Sequence, residues 1–338
     1  MTFFRKTILT FLFVLLIALG SVFYLRAQVY YSHGSATDQK MFEIQKGEGN
    51  AEITARLESE GLISWKYYFY YYIRSHGLIN KIMPGEYQLS GAMTIPEIAI
   101  AITTAQEQFV KITFPEGFTA AQMAARLTAN ALPGDEFLQL VQNPGDFKKR
   151  YDYLTPEKVK TLEGYLFPDT YFFKKDVTAA NIIGRLLDTF DKNLTAQMRT
   201  DAAAQKRSVS DAVNMASILQ KEVQTPSDMK TVSGIFWKRA DAGARLQSDA
   251  TLSYILNDKV DQHNAKELAT DSPYNSYLNA GLPPGPISNP GVDALIAAIS
   301  PTASPYNYFL TATVDGIKKV VYAATYDEHV ANKQKYGL

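Results

Sequence analysis

From Thr7 to Leu25 the chain is apolar without a charged interruption, carrying Ile8, Leu9, Phe11, Leu12, Phe13, Val14, Leu15, Leu16, Ile17, Leu19, Val22 and Phe23. As a helix rising about 1.5 Å per residue, this run covers about 28 Å, close to the hydrocarbon thickness of a bilayer. Arg5 and Lys6 precede it. The positive-inside tendency then keeps the amino terminus in the cytoplasm and sends the rest across, although Arg26 reduces the asymmetry. A cleaved signal peptide is the alternative, but a cut after Ala27 would place Leu25 where a small residue is needed. The pattern predicts an uncleaved anchor, with a cytoplasmic tip and membrane helix over 1–27.

Beyond the run the period shortens. Residues 28–40 are polar and small and predict a linker. Phe42-Glu43-Ile44-Gln45-Lys46-Gly47 alternates, breaks at glycine, then passes to Ile53, Ala55, Arg56 and Leu57 at helical spacing. The pattern returns in Ile112-Thr113-Phe114-Pro115-Glu116-Gly117, followed by Met123, Ala125, Arg126 and Leu127. Each copy predicts a strand, a tight turn and an amphipathic helix, and such a near-repeat implies a small packed module used twice. Trp65 to Ile73 are densely aromatic and predict a second helix against the first strand; the rings suit either packing or a ligand-stacking surface. The unit over 41–105 resembles a LysM-like module, in its strand–glycine–helix start and in the return of Met83-Pro84-Gly85-Glu86-Tyr87 as a strand. That resemblance implies contact with the cell wall.

Residues 106–150 read as a second strand–helix unit leading into a larger domain over 151–338. There, helical patterns alternate with Pro/Gly-rich loops. Ser208 and Asp211 predict a capping box for a helix with Ala212, Met215, Ala216, Leu219 and Val223 on one stripe. Residues 272–291 hold Pro273, Pro283, Pro284, Pro286 and Pro290 with Gly281, Gly285 and Gly291, and predict a rigid irregular loop. Long loops of this kind are more often functional than idle.

Composition narrows the function classes. Lys+Arg and Asp+Glu are equal at 34 each, which removes the basic surplus that a nucleic-acid binder needs. Cysteine is absent, excluding disulfides, thiol nucleophiles and Cys-bound zinc. His33, His76, His263 and His329 are scattered without an H-E-x-x-H pair, so no metal site is predicted. Ser217 lies outside any G-x-S-x-G turn, and no phosphate-binding glycine loop occurs, so no cofactor is predicted. The 21 Tyr and 18 Phe suit flat amphipathic ligands such as sugars as well as core filling.

The segment Leu162-Glu163-Gly164-Tyr165-Leu166-Phe167-Pro168-Asp169-Thr170-Tyr171 sets an acid among apolar and aromatic neighbours, beside a glycine that leaves space for another molecule. Desolvation there favours the neutral carboxyl and raises its pKa. A glutamic acid kept protonated is what a glycosidase needs to protonate a leaving sugar oxygen; a solvated surface glutamate is the plainer alternative. The segment resembles the L-E-G-x-x-F-P-D-T-Y signature of the YceG-like family of endolytic murein transglycosylases. Three further blocks follow in the family's order: Ala216-Ser217-Ile218-Leu219-Gln220-Lys221-Glu222, Leu246-Gln247-Ser248-Asp249-Ala250-Thr251, and Ser272-Pro273-Tyr274-Asn275-Ser276-Tyr277 with Gly281 to Ile287 and Asn289-Pro290-Gly291. The chain departs from the pattern at Ala250, where the family has proline, and at Ser276, where it has threonine. It also lacks a histidine after Gly316, although Tyr326-Asp327-Glu328-His329 keeps the later element.

The resemblance implies a lyase of the cell wall, a lytic transglycosylase cutting between N-acetylmuramic acid and N-acetylglucosamine, with Glu163 as catalytic acid and then base. It further implies 1,6-anhydro ends, work on nascent peptidoglycan glycan strands near the membrane, a role in ending strand elongation, and association with the synthesis machinery. Glu222 falls at the border of the apolar stripe, where it orients Glu163, holds substrate, or sits at the surface beside Lys221. Gln247, Asp249 and Asn275 are candidates for hydrogen bonds to sugar, Tyr274 and Tyr277 for stacking, and Asp169 for bracing the Glu163 loop or touching substrate. The resulting expectation is an α+β protein of the inner (cytoplasmic) membrane. It has one amino-terminal transmembrane helix through residues 7–25, a LysM-like module, and a larger α+β catalytic domain on the periplasmic, extracytoplasmic side. A non-catalytic peptidoglycan-binding scaffold and a hydrolytic muramidase are the alternatives.

Overall fold

The apolar run forms one helix, α1 (Thr2–Tyr30), in a computed structural model that describes residues 2–32, 39–104, 109–154, 159–258, 260, 263–314 and 317–337. Its large side chains from Phe11 to Leu25 are exposed, and the stretch Phe11–Tyr30 is long and apolar enough to cross a membrane. The helix runs into the first residues of the predicted linker because packing continues there. Val29 is buried, and the Tyr30 ring meets Tyr72 edge-on at 6.4 Å. Residues 33–38 of that linker, with His33, lie outside the described residues, as does Gly316.

The chain folds as two compact units, Met1–Phe109 and Val110–Leu338. In the first, β1 (Lys40–Ile44), α2 (Asn50–Ser59), α3 (Lys66–Ser75), β2 (Gly85–Leu89) and α4 (Ile95–Thr103) follow α1. β1 and β2 pair antiparallel, with Phe42 opposite Tyr87 and Ile44 opposite Gly85. Period-two alternation turns Phe42, Ile44, Tyr87 and Leu89 inward onto Ile53 and Leu57 of α2. The aromatic stretch is helical, and its period divides it: Phe69, Tyr72 and Ile73 are buried, whereas Tyr67 and Tyr71 are exposed.

The second unit begins with β3 (Phe109–Thr113), α5 (Ala120–Ala129), α6 (Gly134–Gln142) and α7 (Phe147–Arg150). β4 (Thr170–Lys174) then pairs with β3. The helices α8 (Ala179–Asn193), α9 (Ala196–Ala204), α10 (Val209–Glu222), α11 (Pro226–Asp241), α12 (Asp249–Leu256), α13 (Ala265–Leu268) and α14 (Val292–Ile299) follow. The hairpin β5 (Tyr308–Val314) and β6 (Ile317–Ala323) and the helix α15 (Tyr326–Tyr336) close the unit. Hydroxyl caps start several of this unit's helices. Thr178, Thr195 and Thr225 accept from the third helical N–H, and Thr119, Ser208 and Thr325 do so within full capping boxes. The mixed α+β class follows, with strands paired only in twos among the described residues.

α10 is the axis of the second unit. Its predicted one-sided stripe is instead buried all round, from Ala212 to Leu219, because α14 covers another face and the proline-rich loop a third. The polar residues on this buried helix are therefore bound inward. Asn214 Nδ2 donates to Pro283 O at 2.6 Å, Ile287 N donates to Ser217 Oγ at 3.0 Å, and Gly291 N donates to Gln220 Oε1 at 2.9 Å. These bonds fix the irregular loop over the helix.

Candidate active site

Glu163 lies in the loop before β4, between Leu162 and Gly164, and is 7% exposed. Both its oxygens accept from Ala120 N at 3.0 Å, at the first turn of α5, and Oε1 also accepts from Asn289 Nδ2 at 2.8 Å. A helix amino terminus favours a negative charge. Burial nevertheless outweighs these donors and pushes the Glu163 carboxyl up to about 7, while the Ala120, Asn289 and Gly164 hydrogen bonds pull it back. The raised pKa expected from its apolar surroundings is therefore present. The space expected beside Gly164 is not. Gly164 sits at φ +90°, and a Cβ there would lie 2.5 Å from Pro286 Cβ and Cγ. The glycine admits the proline-rich loop, not a ligand.

Asn289, which the sequence reading passed over as a site residue, ties three segments together. Its Oδ1 accepts from Gly164 N and Leu166 N, both at 2.9 Å, and its Nδ2 also donates to Phe118 O at 3.0 Å. The signal was the Asn-Pro-Gly at the end of the loop: a fully buried amide needs partners for both its ends.

Glu222, at the carboxy-terminal end of α10, is half-buried. Its Oε1 accepts from Ser248 Oγ, itself buried. Burial pushes Glu222 up to about 6, Ser248 and the Ala250 backbone N–H oppose that, Asp249 adds to it, and Arg239 opposes it. Ala250 stands near the start of α12, so this acid too meets a helix amino terminus; a proline at 250 would have no N–H to offer.

Of the other predicted residues, Tyr274 is tied to Glu163, and Tyr277 and Asp249 to Glu222. Tyr274 is half-buried beside Tyr254, ring centroids 5.3 Å apart, and the Glu163 charge raises the pKa of both hydroxyls after burial. Tyr277 donates to Asp249 Oδ1 at 2.8 Å, and Asp249 opens α12 beside Glu222. Gln247 is exposed at φ +56°, its N–H bound to Ser276 O at 3.1 Å. Asn275 is fully buried, its Nδ2 on Leu268 O and Thr270 O and its Oδ1 on Tyr277 N. It clasps the loop and turns no face outward to a sugar. Asp169 is exposed and braces the start of β4: its Oδ1 accepts from Thr170 N, and its carbonyl accepts from Phe114 N. Ser276 keeps the work of a threonine hydroxyl. Its Oγ accepts from Ser248 N at 2.9 Å and meets Thr251 Oγ1 at 2.8 Å.

The sequence profile of the YceG-like family matches residues 42–335, most of the chain. The chain belongs to the YceG-like family. The endolytic murein transglycosylase of Streptococcus pneumoniae is 30% identical over 318 residues, covering 86% of this chain and 57% of that protein. This YceG-like chain thus spans a little over half the length of its pneumococcal relative. The endolytic murein transglycosylase of Bacillus subtilis is 29% identical over 304 residues, 87% of this chain and 83% of that one. A crystal structure of a yceG-like protein from Listeria monocytogenes aligns with a TM-score of 0.60 at 35% identity, over 88% of this chain and all of that one. The four sequence blocks that carry the YceG-like resemblance all fall within the second unit. Two of them carry an acid that meets a helix start: Glu163 with Asn289 and Tyr254 as neighbours outside the predicted set, and Glu222 with Ser248.

Proposed function

We propose that this YceG-like chain is a peptidoglycan lytic transglycosylase held at the cytoplasmic membrane by α1, with Glu222 as its proton-transferring acid. The names of its relatives support the reaction class. The observation that carries the assignment of the acid is exposure. Glu222 is half-buried with its proton held up to about 6, whereas Glu163 is shut in with both oxygens bonded to Ala120 N. An acid must reach the bond it breaks. The roles implied by the sequence resemblance are thereby exchanged: Glu163 fastens the start of α5 to the proline-rich loop, and Glu222 works at the opening.

The reaction closes without water. The protonated carboxyl of Glu222 gives its proton to the glycosidic oxygen as the bond to C1 of N-acetylmuramic acid breaks. The carboxylate then takes the proton of that sugar's 6-hydroxyl while O6 bonds to C1, leaving a 1,6-anhydro end and the acid reset. One carboxyl serves both steps, so no second carboxylate is needed as nucleophile. Tyr277 and Asp249 line the acid, and Tyr274 and Gln247 offer stacking and hydrogen-bonding faces to the strand. The cut falls on nascent glycan near the membrane and ends elongation there, alongside the synthesis machinery. The β1–α2–α3–β2 order and its antiparallel pair support the LysM-like reading of the first unit and its contact with the wall.

A second reading keeps Glu163 as the acid, favoured by its higher pKa of about 7. Digestion of purified peptidoglycan by the full chain in detergent, with mass spectrometry of the products, separates the readings. Glu222→Gln is expected to lose anhydro-muramyl products by at least about a hundredfold, the usual share of a general acid. Glu163→Gln is expected to keep the product type at a reduced rate. Loss confined to Glu163→Gln in a folded protein restores the second reading. Products heavier by one water make the chain a hydrolase, and binding without products makes it a scaffold.

A further inference from the structure

The guanidinium of Arg239 lies near the carboxy-terminal end of α11, outside every block that carried the family resemblance. It is half-buried, and both its terminal nitrogens donate to backbone carbonyls. Nη1 donates to Leu246 O at 2.5 Å, Nη2 donates to Asn307 O at 2.9 Å, and its carbon lies 5.6 Å from the centre of the Tyr308 ring. Leu246 stands two residues before Ser248, and between them Gln247 adopts φ +56°, a left-handed turn that a side-chain-bearing residue holds only when its surroundings fix it. Arg239 and Ser276 hold the two sides of the peptide that opens that turn, at Leu246 O and Gln247 N–H, and Ser276 Oγ takes the Ser248 N–H at its far end. The product of the turn is the placement of Ser248 Oγ on Glu222.

We propose that Arg239 is a positioning residue for Glu222: it clamps the 246–248 turn that presents Ser248, and it supplies the positive charge that faces the acid. The inference rests on the assignment of Glu222 above. The groups facing Glu222 are Ser248, Asp249 and the Ala250 N–H at the start of α12, Tyr277 in the proline-rich loop, and Arg239 on α11. Asp249 disfavours the Glu222 carboxylate, and Arg239 offsets it. A planar fork reaching two carbonyls while stacking on a ring is a geometry that lysine does not reproduce, so charge and clamp are separable by substitution.

The test reads Glu222 itself. In the full chain in detergent, carbon-13 labelling of glutamate carboxyls and NMR titration, with Glu222→Gln to assign the signal, give its midpoint. Arg239→Gln is expected to raise that midpoint, since removing a positive charge that acts on Glu222 favours the protonated acid. Arg239→Lys is expected to keep the midpoint near the parent's while glycan cleavage falls about tenfold, because the charge stays and the clamp is lost. A Glu222 midpoint unmoved in Arg239→Gln overturns the proposal. Should that variant not fold, parent-like cleavage by Arg239→Lys overturns it. The midpoint does not depend on any activity, so failure of the glycan-cleaving reading would show separately, as an absence of products from the parent.

Discussion

The two strand–turn–helix copies share a pattern and part ways in what they do with it. In the first, Glu48 belongs to the turn itself: its Oε2 accepts from Gln45 N at 3.0 Å, and Arg56 of α2 pairs with its Oε1 at 2.8 Å. Its helix starts at Gly49 with no side-chain cap. In the second, Arg126 occupies the matching place on α5 and, like Arg56 over Phe42, stacks over a phenylalanine, Phe118, at 4.6 Å, but it bonds Thr113 O. The acid at that helix start is Glu163, which arrives from a distant loop and has no cationic side chain among its hydrogen-bond partners within the described residues. A carboxyl given only N–H donors inside a core keeps its proton toward neutral pH. The same local fold thus carries an ion-paired turn in one unit and receives a buried acid from a distant loop in the other.

The sharpest test of that difference uses two glycines with nearly the same backbone. Gly47 and Gly164 sit at φ +91° and +90°, but a Cβ at 47 meets nothing within 4 Å, and one at 164 meets Pro286. Gly164→Ala is expected to cost roughly 3–5 kcal/mol, backbone strain plus overpacking, and Gly47→Ala about 1 kcal/mol from strain alone. Thermal melts of the two variants decide it. Equal losses would mean that the proline-rich loop moves aside and does not define the Glu163 site.

A pH series probes the buried acid next. The folded pKa of Glu163 is raised from 4.5 to about 7. The folded form therefore holds its proton more tightly than the unfolded chain does. The associated stability is fully present below about pH 4.5 and is lost as pH rises to 7. This amounts to about 3 kcal/mol across that window. Glu222, raised to about 6, acts in the same direction. Urea unfolding at pH 5 and pH 8 is expected to show the loss in the parent and a flatter profile in Glu163→Gln. A parent insensitive to pH would place water against Glu163 and erase the contrast with Glu48.

The smallest effects concern the helix starts. Thr119→Ala removes the capping box of α5 and is expected to cost about 1 kcal/mol, whereas Gly49→Ser supplies a missing cap to α2 and is expected to gain a few tenths. Amide hydrogen exchange at α2 and α5 reads both. A larger loss at Thr119, with Glu163 midpoints shifted, would show that α5 placement and acid tuning are one property.

Much of this protein was fixed locally and so could be read from residue order. The uninterrupted apolar run determined α1, the alternation and glycine breaks determined both strand–turn–helix copies, Ser208 and Asp211 determined the start of α10, and the prolines determined an irregular loop over 272–291. The motif around Glu163 disclosed the family, and its apolar neighbours disclosed the direction of its pKa. Each of these depends on backbone sterics and periodicity over a few residues. The tertiary structure alone decided the rest. It closed the space beside Gly164 with Pro286, turned Asn275 inward, made Asn289 the joint between three segments, buried α10 on every side, and left Glu222 more open than Glu163. These outcomes join residues far apart in the chain. Burial and hydrogen-bond partners are properties of what packs against a residue, and no local pattern specifies its distant neighbours.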